Sequence, residues 1–197
     1  MEPFGESRDT ITFRMLMKGG RNPMESIERM HDLSLLSLRE LLGTMDSGEY
    51  DDNILSGIIN RDNEIDKFYF LIVRQIAGAG GFEGIVWVQA AKSMERISDH
   101  IETIARLLKD GKRIKKDDLL VFKELIDLYG EVMLTLKNKD LSSAEEILNR
   151  IQKIRAKGAD LKNNLDGDHR KNILIYSSFR RVGEYISDMA ESAINLS

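Results

Sequence analysis

Two pairs of carboxylates in this chain stand at a spacing that could hold a cation. Asp62 and Asp66 are four residues apart, and so are Glu95 and Asp99. On a helix that spacing puts both acids of a pair on one face, where like charges cost roughly 0.2–0.5 kcal/mol. A cation or a basic partner reverses the sign. The two pairs are also level with each other. Asp66 lies 11 residues before Ala77 and Glu95 lies 11 after Gly84, while Asp62 and Asp99 match at 15. If the Ala77 to Gly84 stretch turns an antiparallel hairpin, all four acids gather at one height. All-oxygen ligation suits hard or borderline cations, and His100 adjoins the group with a nitrogen. The other reading is a solvated acidic face. Arg61 and Arg96 stand near enough to neutralise the acids.

Other chemistries find little support. Cysteine is absent, which removes thiolate metal sites, disulfides and a thiol nucleophile together. A di-iron carboxylate bundle needs Glu-x-x-His pairs facing inward, and here Glu28 with His31 is a single copy. His31 and His169 have no partner pattern and read as surface or satisfied histidines. The Ala77 to Gly84 loop is glycine-rich but lacks a Gly-Lys-Ser/Thr ending and follows a helix, so it is a turn and not a phosphate cradle. The expectation is a protein that is not an enzyme.

Net charge is −4 and the pI about 5.5, with both signs mixed along the chain. That argues against direct nucleic-acid binding. Lys112, Arg113 and Lys115 form a short basic loop, which reads as solvated. There is no charged-then-apolar leader. The most apolar stretch, Phe68 to Ala91, is broken by Arg74, Gln75 and Glu83 and cannot span a bilayer. No membrane insertion and a cytoplasmic location are expected.

The acids need helices to position them, and the pattern supplies these. Residues 10–17 alternate, with Ile11, Phe13, Met15 and Met17 on one side, which predicts a short strand in an N-terminal tail of residues 1–23. A lone strand needs a pairing edge, so a homodimer is expected. After Pro23 the period is helical. Six helices are predicted, at about 24–46, 50–76, 83–109, 116–138, 141–165 and 169–195. Trp87, Ala90, Met94, Ile97, Ile101, Ile104 and Leu108 form an apolar seam in the third. Glu95 and Asp99 lie nearly opposite that seam, which places them at the surface. Phe68, Tyr69 and Phe70 read as core or interface, as does Trp87.

The last helix carries the same seam as Ile175, Phe179, Val182, Ile186 and Met189, each 85 residues after its counterpart in the third. Asp32-Leu33 and Asp127-Leu128 correspond at an offset of 95, and Asp52 to Leu55 and Glu145 to Leu148 at 93. Two diverged units follow, 24–109 and 116–197. The fold class expected is all-α: two repeated antiparallel three-helix bundles, with the short N-terminal strand. The acidic motif decays in the second unit, where Arg180 and Glu184 replace Glu95 and Asp99.

Two stretches resemble the PhoU family. Asn60 to Gln75 is similar to its second helix, and Met94-Glu-Arg-Ile-Ser-Asp-His-Ile-Glu-Thr-Ile-Ala105 to its third-helix signature. Together with the doubled layout, the resemblance covers about residues 24–197. It implies a regulator of phosphate uptake that docks on a phosphate transporter ATPase or a sensor kinase. It also implies that the paired acids Asp62, Asp66, Glu95 and Asp99 bind iron or zinc, as in some members. The run from Asp62 to Gln75 is nearest the archaeal branch, in which an AbrB-type DNA-binding domain often precedes such a region. No such domain fits in residues 1–23, so the chain is either a piece of a longer protein or a member without it. The same scaffold serving another anion transporter is the alternative, with a carboxylate-bridged metal enzyme a more distant one.

Overall fold

The computed structural model describes residues 22–78, 81–115, 118–163 and 173–197, with side chains described throughout except at 158–163. The strand expected at 10–17 lies outside them. Six helices are seen among the described residues: α1 (Pro23–Ser47), α2 (Asp52–Ala77), α3 (Phe82–Lys109), α4 (Leu119–Asn138), α5 (Leu141–Asn163) and α6 (Ile173–Leu196).

Their ends follow from local chemistry. Pro23 opens α1, where a missing N–H costs nothing, and the Asn22 side chain accepts from the Met24 amide at 3.1 Å. Gly48 ends it in the left-handed region at φ 72°. Asp51 caps α2 by accepting from the Asn53 amide at 2.7 Å. Asp140 opens α5 by accepting from the Ser143 amide and hydroxyl, at 3.2 and 2.7 Å. These are the orphan donors of a first turn finding side-chain partners. The fourth helix begins at Leu119, later than the expected 116. Asp118 does not cap it. That carboxylate is buried and accepts the Tyr176 hydroxyl, tying the start of α4 to α6.

Each helix trio packs on itself: α1, α2 and α3 contact one another, and so do α4, α5 and α6. The trios meet through α3 against α6 and α1 against α4. Every residue of the predicted α3 seam is buried, as are Ile175, Phe179, Val182, Ile186 and Met189 of α6. Residues that correspond between the trios face each other where they meet. His100 and Tyr185, 85 apart, stack with ring centroids 5.9 Å apart. Ser34 and Tyr129, 95 apart, share a hydrogen bond of 2.6 Å. An approximate two-fold axis therefore passes through both contacts, perpendicular to the helices.

The α1–α4 contact is the polar one. Its hydroxyl pair is buried, and the His31 Nε2–H donates to the Tyr129 carbonyl at 2.8 Å. His31 is thus a satisfied core histidine, and burial lowers its pKa despite that bond. Phe70, by contrast, is 61% exposed while Trp87 is 7% exposed.

Core and surface positions should respond differently. Ile97→Ala opens a cavity in the α3 seam and should cost about 2–5 kcal/mol. Tyr129→Phe should cost about 1 kcal/mol, since Ser34 keeps the carbonyls of Met30 and His31 as acceptors. Phe70→Ala should change stability by less than about 0.5 kcal/mol. Denaturant unfolding of the three variants checks the order.

Candidate functional site

The two helices that carry the paired acids run antiparallel in contact, and one hydrogen bond fixes their level. The Ser98 hydroxyl on α3 donates to Asp62 Oδ1 on α2 at 2.6 Å. At that level the acids feel one another across the groove. Asp62 is repelled by Asp66, Glu102 and Asp99, Asp66 by Glu95 and Glu102, and Asp99 by Glu95 and Asp66. All four expected residues therefore share one electrostatic neighbourhood. Glu102, which the spacing argument passed over, belongs to it. Its position one turn after Asp99 on the same helix face was the available signal.

Crowding shows in the acidities. Burial pushes the Asp62 carboxyl up to about 6; the Ser98 bond opposes that and the neighbouring acids add to it. Burial, then Glu95, raises Asp66 and Asp99 as well. The expected surface position of Glu95 needs correction. Its side chain is only 14% exposed. Helix α2 packs on the flank of α3 that carries Ala91 and Ser98, both buried, and so walls in the neighbouring Glu95 position. Lying opposite the seam of one helix does not mean facing water when a second helix covers the flank.

Cations of the protein already answer part of the charge. Lys92 Nζ lies 2.7 Å from Glu95 Oε2, and Arg96 reaches Asp99 Oδ2 at 3.0 Å. Lys92 was missed because it precedes the motif. Arg61, expected beside the acids, turns the other way and binds Glu40 and Ser37 of α1 at 2.9 and 2.8 Å. His100 turns away too. It stacks on Tyr185, and its buried Nδ1 has no hydrogen-bond partner among the described residues. Burial, Arg181 and Arg96 lower its pKa. It adds no nitrogen to the acids. His169 lies outside the described residues.

By donor type and mutual repulsion the acids fit a hard cation. By convergence they do not: among the described residues no three Asp, Glu or His side chains gather closely enough to hold a metal ion. A cation would have to compete with Lys92 and Arg96. Elsewhere a groove of about 440 Å³ is lined by Ser56, Ile59, Asn60, Arg106, Lys109 and Asp110. Its Lys109 is already bound to Asp52 and Ser56, at 3.0 and 2.7 Å. Among the described residues no helix is long and apolar enough to cross a membrane.

A duplicated antiparallel three-helix bundle with a crowded acidic groove on one half is the class of protein that these features define. Residues 27–108 match the PhoU domain family, the stretch that holds all four acids. The fold of the chain is that of solved PhoU structures. It resembles the phosphate transport system regulatory protein PhoU from Streptococcus pneumoniae with a TM-score of 0.70 and 16% identity, over 88% of this chain and 92% of that one. It resembles PhoU from Pseudomonas aeruginosa with a TM-score of 0.70 and 14% identity, over 88% and 94%. No curated protein matches the chain by sequence.

The raised acidity of Asp62 has a consequence for stability. The folded state holds its proton more tightly than the unfolded chain does. That stabilising contribution is fully present below the ordinary carboxylate value and is lost as pH rises through about 6. Asp62→Asn keeps an acceptor for Ser98 and removes the charge. At pH 7.5 it should be more stable than the parent by about 1 kcal/mol, allowing for solvent screening at this half-exposed site. Below pH 4 the advantage should vanish. Urea unfolding of both proteins across pH 3.5–7.5 measures it.

Proposed function

We propose that this chain is a PhoU-type regulator of phosphate uptake, acting in the cytoplasm by docking on a phosphate-transporter ATPase or a sensor kinase. The observation that carries the reading is the likeness over 88% of the chain to a protein whose name is phosphate transport system regulatory protein, joined to the PhoU domain match at 27–108. The architecture suits a binding role. Long helices present continuous side-chain faces, and the two trios hold those faces at fixed angles. The buried polar groups of the α1–α4 contact serve packing, as satisfied bonds within the core. We read the chain as a non-enzyme, in keeping with the regulatory name of its structural neighbour.

The acids are the proposed control point. Asp62, Asp66, Glu95 and Asp99 would hold an iron or zinc ion once their side chains turn toward one another, since as packed no three of them gather closely enough. Such an ion would supply positive charge to a crowded carboxylate groove, the role that Lys92 and Arg96 fill in its absence. Binding would free those two side chains and change the charge that the α2–α3 face offers a partner. Linkage makes this reciprocal: a partner that prefers the ion-bound face raises the affinity for the ion by the same factor.

Two measurements test the proposal. Purified protein should carry iron or zinc by mass spectrometry, near one equivalent or more. The Glu95→Ala/Asp99→Ala variant should lose it at least tenfold. Protein free of metal in both forms would remove the ion from the mechanism. Affinity capture with the tagged chain should retain the phosphate-transporter ATPase or its kinase. Capture of another anion transporter's ATPase instead would keep the scaffold and replace the substrate.

A further inference from the structure

Three large apolar side chains stand in water on one face of the α2–α3 hairpin. Phe70 is 61% exposed, Phe82 65% and Ile85 67%. Register puts two of them in line with the acids. Phe70 is four residues after Asp66 on α2, and Ile85 is seven before Lys92 and ten before Glu95 on α3, so each shares its acid's side of the helix. The Lys92 ammonium lies 4.9 Å from the centre of the Tyr69 ring, and Tyr69 meets Phe70 with ring centroids 5.5 Å apart. The outer face of the hairpin therefore has an apolar end beside the α2–α3 turn and an acidic stretch further along. Apolar side chains of this size, exposed together, mark a surface that something covers.

The charges of that face are answered unevenly. On α3, Glu95 pairs with Lys92, Asp99 with Arg96 and Glu102 with Arg106. On α2, neither Asp62 nor Asp66 has an ion-pair partner among the described residues; Asp62 accepts the Ser98 hydroxyl. Arg74 does not reach them, since its Nε–H donates to the Phe70 carbonyl at 3.3 Å. What leaves the bundle at the apolar end can answer both needs. Glu28 of α1 pairs with Lys137, and Lys139 pairs with Glu83 at 3.1 Å, so α1 starts at the end of the bundle where α3 starts. The chain before Asn22 is tethered there. Its residues 10–21 include Ile11, Phe13, Met15 and Met17, the three cations Arg14, Lys18 and Arg21, and no acid. Twelve residues reach up to about 40 Å. Glu95 lies 13 residues past Phe82, about 20 Å along α3, and the outer groove is one or two helix spacings of about 10 Å from α1.

An exposed apolar end calls for apolar side chains, and two unanswered acids call for cations. Residues 10–21 carry both, within reach, at the millimolar effective concentration of a short tether. We infer that this segment docks in cis along the outer α2–α3 face, with its apolar side chains on Phe70, Phe82 and Ile85 and with Arg14 and Lys18 toward Asp62 and Asp66. Long basic side chains let the charged ends reach sideways to the acids while the apolar residues stay on the apolar end. The docked segment covers the face against a partner and competes with a metal ion for the acids, so either one displaces it. The inference rests on the exposed residues, the charges and the reach, and holds whether or not a metal binds.

The chain has no cysteine, so introduced thiols report contact cleanly. In the full chain, Met15→Cys is combined with Ile85→Cys and, as a control, with Leu120→Cys. Leu120 is 75% exposed at the start of α4, the opposite end of the bundle. Disulfide formation is followed with diamide in EDTA at low protein concentration, on non-reducing gels that separate a link within one chain from a link between two. The Met15→Cys/Ile85→Cys pair should close within one chain about tenfold faster than the control, as a docked tether raises local concentration. Adding Arg14→Glu/Lys18→Glu should remove most of that advantage, and adding Asp66→Lys to these should restore it, because opposite charges meet again. Misfolding cannot produce that recovery, and circular dichroism checks the helices of each variant. Equal rates for the two pairs, a link that forms only between chains, or charge variants that close as fast as the unaltered pair would each overturn the inference. Metal content is read separately, so either idea can fail alone.

Discussion

Helix α3 bears the constraint on which the rest of the structure depends. It must satisfy three neighbours at once, α1, α2 and α6, with residues fixed by one register. Its seam packs into its own trio, its Ala91–Ser98 flank receives α2, and the side bearing His100 meets α6. Small side chains make this possible. Ala90, Ala91, Ser93, Ser98 and Ala105 are all buried, so neighbouring helices approach closely without leaving voids. Shifting α3 by one residue would rotate each of these faces by about 100° and break all three contacts together. The level of the acidic groove is a by-product of the same register, since Ser98 can meet Asp62 only when α2 sits where Ala91 lets it.

That geometry explains why the acids are unusual in energy while ordinary in sequence. Each carboxylate alone is a common surface residue. Together they lie in a groove narrow enough that desolvation and mutual repulsion act in the same direction, and the acidity of Asp62 moves to about 6. The helices hold the acids there because the packing of α2 on α3 buries Ile65 and Ile72 against the core. Apolar burial of a few such side chains, about 1.5–3 kcal/mol each, exceeds the electrostatic cost. The groove thus stores an unfavourable charge arrangement that something else can relieve. Shifted acidities of this kind mark functional positions more often than chance.

The fold was legible in the sequence because long amphipathic periods leave few alternatives. Six helices, the seams of α3 and α6 and the correspondence at 85 residues were all readable from apolar spacing. What the spacing could not carry was which flank of a helix a third element covers. Glu95 was placed at the surface on the evidence of one helix, and α2 walls it in. Arg61 and His100 were assigned to the acids by proximity along the chain, and the structure turns them toward Glu40 and Tyr185 instead. The level of the two acid pairs came out of simple counting from the loop, because antiparallel neighbours share a common rise. The side-chain partners did not, because rotamers several ångströms long decide them.

Duplication supplies the final physical point. Two copies of one three-helix unit, packed about a two-fold, begin with identical faces and so with identical charges side by side. At the positions of Asp62 and Glu95 the second unit carries Arg155 and Arg180, while Asp99 keeps its charge in Glu184, so the outer charges have diverged without touching the buried seam. The apolar positions Ala90, Met94, Ile97, Ile101 and Ile104 keep apolar partners in Ile175, Phe179, Val182, Ile186 and Met189, all buried. Packing therefore conserved the pattern inside while charge was free to part outside, and an asymmetric face on a symmetric scaffold is the result.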